Sequence, residues 1–285
     1  MAFINYVIHL AILIGIYSIV TFSLNLAVGF TGLLNLGHVG FFGIGAYVSA
    51  LLAVQGVSLW ISIPLGALAA MVMGIILAMP TTRLKGDYLA LATLGFTFIL
   101  GSVARNWTDV TRGALGIPGI PKIVKGNTEF LFVVVVLAVV SYLAMWYISR
   151  SRFGLTCEAI RDDELAAKML GKNTFAHKAL MLGFSALFAG FAGGLFAHYI
   201  TFIDPSIFGI NDLILMFSML IVGGLASVKG SAIGTIVLFL IPEPLRFIGF
   251  PSSVLGPMRE MIFALILLLI LIYRPKGLFG KVDFS

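Results

Sequence analysis

Charged residues are scarce in this sequence. Asp, Glu, Lys and Arg make up 11% of its 285 residues, whereas an average soluble protein has roughly 25%. Hydrophobic residues make up 60%, and the mean hydropathy is +1.10. So few charged groups could not cover a soluble globule, supply the basic patches that bind nucleic acid, or keep a chain disordered. The composition therefore indicates a membrane protein that does not bind nucleic acid.

The motifs of enzymes and metal sites are missing as well. The four histidines are far apart and lack the spacing of zinc ligands. Neither the G-x-S-x-G nucleophile motif nor the G-x-x-x-x-G-K-[ST] phosphate-binding loop occurs. A single cysteine, Cys157, excludes an intrachain disulfide. We therefore predict a chain that is not an enzyme and that binds no metal, nucleotide or other cofactor itself.

Long apolar segments dominate what is present. A transmembrane helix needs about 20 apolar residues, and lipid offers no hydrogen-bond partners, so each such segment must be helical. The first segment follows an N-terminus without basic residues and is too long for a signal peptide, so we expect it to be retained. The predicted fold is all-α, a polytopic integral membrane protein with about 8–10 transmembrane helices in a single domain, residues 1–285. The predicted spans are 4–26, 39–56, 60–80, 88–106, 130–149, 178–201, 213–228, 230–248 and 258–273.

The distribution of Lys and Arg predicts the orientation. One set of loops carries 12 basic residues and the opposite set carries 6. Because cytoplasmic loops are enriched in Lys and Arg, the richer side is predicted to be cytoplasmic, together with the C-terminus. Nine spans then place the N-terminus outside, whereas a re-entrant turn at residues 29–37 would leave eight spans and place it inside. The richer set is Arg83, Lys85, Arg150, Arg152, Arg161, Lys168, Lys172, Lys178, Lys229, Arg274, Lys276 and Lys281.

Two glycine-rich segments, 29–47 and 222–234, interrupt the apolar sequence. Glycine costs about 1 kcal/mol in a helix, so its density predicts a broken helix in each half of the chain. Irregular backbone at membrane depth is tolerated where it is buried or lines a cavity, and in transporters it marks the substrate region. In the alternative interpretation, Asn35 and His38 only hydrogen-bond a neighbouring helix. The predicted substrate path comprises Asn25, Thr31, Asn35, Gly37, His38, Gly40, Gly43, Gly223 and Gly224.

The longest charged stretch lies within residues 150–177. Leu155, Ala159, Ala166 and Leu170 recur at helical spacing, and Gly171 is a typical helix stop. Two pairs, Glu158 with Arg161 and Glu164 with Lys168, are spaced to stabilise a helix by about 0.2–0.5 kcal/mol each. We predict a surface helix on the cytoplasmic face; a simple connecting loop is the alternative.

Several motifs together resemble one family. They are N-L-G-H-x-x-F-F-G-I-G-A-Y at 35–47, R-L-K-G-D-Y-L-A at 83–90, T-L-G-F at 93–96, A-I-R-D-D-E at 159–164 and the Gly223–Gly224 pair. These motifs resemble the permease subunits of branched-chain amino acid ABC importers, LivM type. The similarity extends from about residue 20 to residue 245.

The resemblance implies a subunit of a binding-protein-dependent importer in a prokaryotic plasma (inner) membrane. Its partners would be a second, LivH-type permease, two cytoplasmic ABC ATPases that use ATP and Mg, and an extracytoplasmic substrate-binding protein. Residues 165–171 resemble the E-A-A-x-x-x-G coupling motif, although Leu165 replaces its Glu, so only the docking role of the segment is transferred. The implied coupling residues are Glu158, Ala159, Ile160, Arg161, Asp162, Asp163, Glu164, Ala166, Ala167 and Gly171.

Two alternative functions stay open at this stage. The substrates implied by the resemblance are branched-chain or other hydrophobic amino acids, but related permeases move urea or short amides. An ion-coupled secondary transporter is a different class, and it would need a carboxylate within the membrane. Asp87, Asp212 and Glu243 all fall near predicted span ends, which makes this class less favoured.

Overall fold

The computed structural model describes residues 2–84, 86–124, 126–244, 252–274 and 276–280. In this part of the chain, six helices are long and apolar enough to cross a membrane and three are shorter apolar helices, so the all-α polytopic prediction is confirmed. The helices are α1 (Ala2–Val28), α2 (His38–Val54), α3 (Leu59–Thr81), α4 (Asp87–Asn106), α5 (Thr108–Thr111), α6 (Asn127–Arg150), α7 (Arg152–Asp162), α8 (Glu164–Met169), α9 (Thr174–Ile200), α10 (Ile210–Gly223), α11 (Val228–Leu240) and α12 (Ser252–Tyr273). Two short strands, β1 (Ile117–Pro118) and β2 (Phe202–Ile203), pair antiparallel.

The helices form a bundle with two distinct ends, the α7 end and the strand end. Near the strand end His9 of α1 contacts Tyr199 of α9, and α1 ends beside α7, where Arg161 contacts Gly29. The helix α2 then runs antiparallel to α1, since Phe42 packs on Tyr17 while His38 lies beside Val20. The chain therefore reverses direction at residues 29–37.

The second glycine-rich segment also reverses the chain. Helices α10 and α11 run antiparallel, because Gly230 packs on Gly223 while Gly234 reaches back to Met219. Their connection lies at the α7 end, where the C-terminal residues 276–280 join it. Each glycine-rich segment thus contains a connection between two antiparallel helices and not the predicted break within one helix. The glycines of residues 38–47 and 228–234 lie in the regular helices α2 and α11.

Helix α9 is the centre of the bundle, and small residues let its neighbours approach closely. A Cβ atom at Gly193 would collide with the carbonyl of Phe42 in α2, and one at Gly190 would lie 3.2 Å from the carbonyl oxygen of Gly66 in α3. Each glycine belongs to a stripe of small residues spaced four apart, Gly190 with Ala186 and Gly194, and Gly193 with Ala189 and Ala197. Such stripes allow this backbone-to-backbone packing in membranes. A larger side chain at either position would push two spans apart.

Three predicted boundaries are wrong, for identifiable reasons. The predicted span 213–228 continues through the end of α10, which stops at Gly223 because Gly224 has φ 104° and ψ 142°, a conformation that other residues rarely adopt. The single surface helix expected around residues 155–171 is two helices. Asp163 has extended backbone (φ −151°, ψ 102°), and its carboxylate accepts hydrogen bonds from the N–H groups of Leu165 and Ala166, capping α8. The span predicted at 230–248 is also too long, because α11 ends at Leu240 and a turn follows. Its residues 245–248 lie outside the described residues.

Candidate functional site: a junction of two glycine-rich segments and α7

Asn25, in the last turn of α1, joins the two glycine-rich segments. Its Oδ1 accepts a hydrogen bond from the Ala226 N–H at 2.9 Å. Its Nδ2 donates to the Ser227 carbonyl at 3.0 Å and to Ser231 Oγ at 2.6 Å. The side chain is fully buried, and its backbone carbonyl accepts from the N–H groups of Gly29 and Phe30. One residue therefore fixes the connection α10–α11 against the start of the connection α1–α2.

The first connection, residues 29–37, is held by side chains from other helices. The Thr93 hydroxyl of α4 accepts the Leu36 N–H at 2.9 Å, and the Thr97 hydroxyl donates to the Leu36 carbonyl at 3.2 Å. Asn35 Oδ1 accepts the Gly37 N–H at 3.0 Å. Because these contacts fix the approach to His38, α2 begins inside the bundle and not at its surface.

His38 and Asn35 are both buried in the bundle. His38 Nε2 lies 2.9 Å from Ser23 Oγ and 3.2 Å from the Val20 carbonyl oxygen. Among the described residues, His38 Nδ1 and Asn35 Nδ2 have no hydrogen-bond partner. Each side chain thus makes a hydrogen bond through one polar atom, and its other polar atom is free to bind a ligand.

The second connection, residues 224–227, follows the last turn of α10, which accepts backbone hydrogen bonds from the C-terminal segment. The N–H groups of Leu278 and Phe279 donate to the carbonyls of Val222 and Gly223, both at 3.0 Å. Gly224 lies against Gly280, where a Cβ atom would collide with backbone atoms. This connection therefore contacts Asn25 on one side and residues 276–280 on the other.

Arg161 connects α7 to the first connection. Its Nη1 donates to the Gly29 carbonyl at 2.7 Å, and its stem packs on Gly32, where a Cβ atom would lie 2.8 Å from Arg161 Cγ. Arg161 also pairs with its neighbour Asp162 at 2.8 Å, in place of the predicted pairing with Glu158. The surface helix α7 therefore touches the backbone of the interrupted region directly.

Helix α8 is tied to α9 through Glu164. The predicted pair with Lys168 is confirmed at 2.9 Å, and Lys178 of α9 pairs with the same carboxylate at 2.6 Å. Partial burial opposes ionisation, but hydrogen bonds from Lys178 and Lys168 outweigh it and lower the pKa of Glu164 to about 2. The carboxylate is therefore ionised at neutral pH and anchors α8 to a membrane-spanning helix.

The outer face of α7 and α8 carries several exposed apolar side chains. Leu165, Met169 and Leu170 are 65%, 79% and 79% exposed, and Leu155 is exposed as well. Among the predicted coupling residues, Ile160 and Ala167 instead face inward and are buried. Gly171 has φ 75° and follows the end of α8, as predicted for a helix stop. These apolar side chains are exposed beside charged ones, since the Asp162 and Lys168 side chains are 67% and 55% exposed.

The remaining path candidates separate into two places. Asn25, Thr31, Gly223 and Gly224 are buried near the α7 end. Gly40 and Gly43 line an apolar cavity of about 220 Å³ between α2, α4 and Phe208, on the way to the strand end. The structure thus does not bring all nine predicted path residues to one surface.

The contact of Asp212 with another helix was not predicted from the sequence. This residue is in the first turn of α10, as its position near a span end suggested. The helix nevertheless begins within the bundle, and the Tyr17 hydroxyl, midway along α1, lies 3.3 Å from Asp212 Oδ1. A partly buried carboxylate therefore lies beside a tyrosine of α1, and the residues next to Asp212 in the sequence do not predict this partner.

Comparison with known proteins identifies the family. Residues 6–272 match the family described as "Branched-chain amino acid transport system / permease component". The chain belongs to this family. It is 33% identical to the high-affinity branched-chain amino acid permease LivM of Escherichia coli over 95% of this chain and 69% of that protein. It is 26% identical to a probable LivM of Methanocaldococcus jannaschii, with 93% and 90% of the two chains covered.

A second type of permease is similar too. The chain is 24% identical to LivH of Escherichia coli over 94% of this chain and 92% of that protein. This chain is thus a LivM-like permease component of a branched-chain amino acid ABC transport system, a multi-pass membrane protein with a transport role and not a catalytic one. The resemblance noted from its motifs is confirmed.

Proposed function

We propose that this permease forms the membrane part of a binding-protein-dependent importer together with a LivH-type subunit. Two cytoplasmic ATPases, which consume ATP with Mg, and an extracytoplasmic binding protein complete the complex. The similarity to both LivM and LivH of one organism supports a pair of related permeases with a shared path between them. Within the pair, this chain supplies half of the path and no nucleotide site.

The charges support an orientation with the α7 end in the cytoplasm of a prokaryotic cell. Most basic side chains of the described residues lie at that end. Four lie toward the strand end, namely Arg105, Arg112, Lys122 and Arg259. Lys and Arg favour the cytoplasmic side of a membrane protein. The C-terminus is then cytoplasmic and α1 begins outside. The α7-end set is Arg83, Arg150, Arg152, Arg161, Lys168, Lys172, Lys178, Lys229, Arg274 and Lys276.

The coupling role of residues 150–177 rests on one observation: α7 and α8 expose apolar side chains outward while Arg161 holds the Gly29 carbonyl inward. Exposed apolar surface on a helix outside the membrane is typical of a protein docking site. A rigid-body shift of α7 would move residues 29–32 through Arg161, and Asn25 would pass that shift to α10–α11. ATP binding in the ATPases would in this way change access to the path.

The substrate path is proposed along the interrupted region. The spare polar atoms of Asn35 and His38, and the cavity beside Gly40 and Gly43, support a path that starts at this region and runs along α2. Branched-chain or other hydrophobic amino acids are the proposed substrates. Uptake of urea or short amides, and not of leucine, by the complete complex would favour the amide alternative. Proton- or sodium-driven uptake by this chain alone would favour secondary transport and give Asp212 a role in it.

A matched pair of substitutions tests the docking surface. Leu170→Asp places a charge on the exposed face of α8, and Leu115→Asp does the same at an equally exposed leucine (78%) at the strand end. We expect Leu170→Asp to remove the ATPase subunits from the purified complex and to abolish leucine uptake in proteoliposomes. Leu115→Asp should leave the ATPases bound. Retention of both ATPases and of uptake in Leu170→Asp would refute the docking assignment.

A further inference from the structure

A cavity of about 230 Å³ lies near the strand end, between α1, α10, α11 and α12. Its walls are largely apolar, with Leu10 and Leu13 from α1, Leu215 from α10 and Phe263 from α12. Cavities for drug-sized ligands measure roughly 300–1,000 Å³, so this volume suits a small metabolite. The cavity is far from Asn25 and the α7 end, and none of the predicted path residues lines it.

One wall of this cavity carries two opposite charges, Glu243 and Arg259. Arg259 Nη2 lies 3.4 Å from Glu243 Oε1, and their side chains are 37% and 15% exposed respectively. Charge-assisted hydrogen bonds of good geometry measure about 2.7–2.9 Å, so this pair is loose. Among the described residues, Glu243 Oε2 and Arg259 Nε have no hydrogen-bond partner although both atoms are buried.

The loose pair leaves one acceptor and one donor unmatched beside apolar walls. An unpaired buried polar atom is costly, and the cost is larger for charged groups. A ligand that carries an ammonium group and an acidic group on one carbon, with an aliphatic side chain, would satisfy both atoms and bury its side chain against the leucines. A neutral amide could donate to one atom and accept from the other, but it would offer neither side chain an opposite charge, and a simple cation would match only the acceptor.

We propose that this cavity binds the zwitterionic head and aliphatic side chain of a hydrophobic amino acid, with Arg259 facing the carboxylate and Glu243 the ammonium group. This assignment rests on the proposed function and names an entry site for the same substrate on the extracytoplasmic side. The same chemistry, a primary ammonium beside an acidic group, also occurs in the head of phosphatidylethanolamine, so the test separates the two sources.

The test measures protection of a cysteine placed in the cavity wall. Leu215→Cys is introduced into the complete complex in nanodiscs, with Leu13→Cys as a second reporter if the first complex does not assemble. The native Cys157 is buried in α7, and burial raises the pKa of its thiol to about 12, so it reacts slowly with maleimide. The rate of maleimide labelling is measured with leucine, with leucinamide and with 4-methylpentanoate.

Leucine is expected to slow the labelling, whereas leucinamide and 4-methylpentanoate at the same concentration are expected to leave the rate unchanged. Glu243→Gln or Arg259→Gln should weaken the protection about 10- to 100-fold in leucine concentration, the usual effect of losing one charged hydrogen bond. Lys122→Gln, which removes an exposed cation at the same end outside the cavity, should leave the protection unchanged.

The lipid arm repeats the labelling in discs with and without phosphatidylethanolamine. Slower labelling that follows this lipid and ignores leucine would overturn the amino acid site in favour of a lipid, and equal labelling in every condition would overturn both. Leucine uptake by the wild-type complex is measured in parallel. Uptake without protection refutes the cavity alone, whereas failure of uptake refutes the proposed function.

Discussion

Residues 29–37 and residues 224–227 both reverse the chain at the α7 end, yet they are held there by different means. The first connection depends on side chains that reach it from elsewhere, namely Arg161 from α7 and Thr93 and Thr97 from α4. Beside the second, the backbone N–H groups of residues 278 and 279 pair with the last two carbonyls of α10. The Asn25 side chain also bonds this connection, at Ala226 and Ser227. A connection held by side chains can move together with the helix that carries those side chains. A connection next to paired backbone can move only if residues 276–280 move with it. The contrast suggests that the first connection, called here the movable connection, shifts readily with α7, whereas the second shifts less because it has backbone partners as well.

The largest difference between the two connections should appear when one glycine in each is replaced by alanine. At Gly224, alanine would have to adopt φ 104°, and its Cβ would collide with the backbone of Gly280. At Gly32, with φ 70°, the Cβ would meet only the flexible stem of Arg161 at 2.8 Å. Left-handed strain costs about 1–3 kcal/mol at either site, and only Gly224→Ala adds a clash that no rotamer can relieve.

We therefore expect Gly224→Ala to lower the thermal midpoint of the purified complex strongly and to expose residues 276–280 to proteolysis. Gly32→Ala should lower the midpoint less and leave the C-terminal segment protected. Scanning fluorimetry and limited proteolysis of both variants provide the measurement. Equal losses of stability would contradict the distinction between backbone and side-chain anchoring.

The sequence predicted much of this architecture but not its contacts. Apolar runs must be helical in lipid, so the spans could be placed, and glycine density located both interruptions. Asn25, however, meets Ala226 at a separation of 201 residues, and Arg161 meets Gly29 at 132. Neither contact could be predicted from helical periodicity or from the spacing of nearby residues in the sequence. The break at Asp163 could have been predicted, because aspartate is a favoured cap ahead of a helix.

The second test concerns the link between α7 and the movable connection. Arg161→Lys keeps the charge but cannot reproduce the fixed fork of a guanidinium that contacts the Gly29 carbonyl and Asp162 together. The loss of one charged hydrogen bond is worth about 1.5–3 kcal/mol, less than the effect expected at Gly224. Leucine uptake per ATP hydrolysed should fall while the ATPases stay bound. Arg152→Lys, an exposed cation at the start of the same helix, should preserve the ratio, and an unchanged ratio in Arg161→Lys would show that α7 acts through another contact.

The smallest effect is expected at Glu164, which anchors α8 and thereby supports α7. Lys178 and Lys168 lower the pKa of this carboxyl from 4.5 to about 2. A lowered carboxyl pKa gives stability that is present above pH 4.5 and is lost as the pH falls through about 2. After allowance for solvent screening, the ion pairs are worth about 0.5–1 kcal/mol. Hydrogen exchange of the α8 amides, corrected for intrinsic rates, should therefore show the same protection at pH 7 and pH 5 in the wild type. Glu164→Gln should lower that protection equally at both values. Wild-type protection that falls between pH 7 and pH 5 would mean that the carboxyl titrates near its ordinary pKa and that Lys178 does not hold α8 in place.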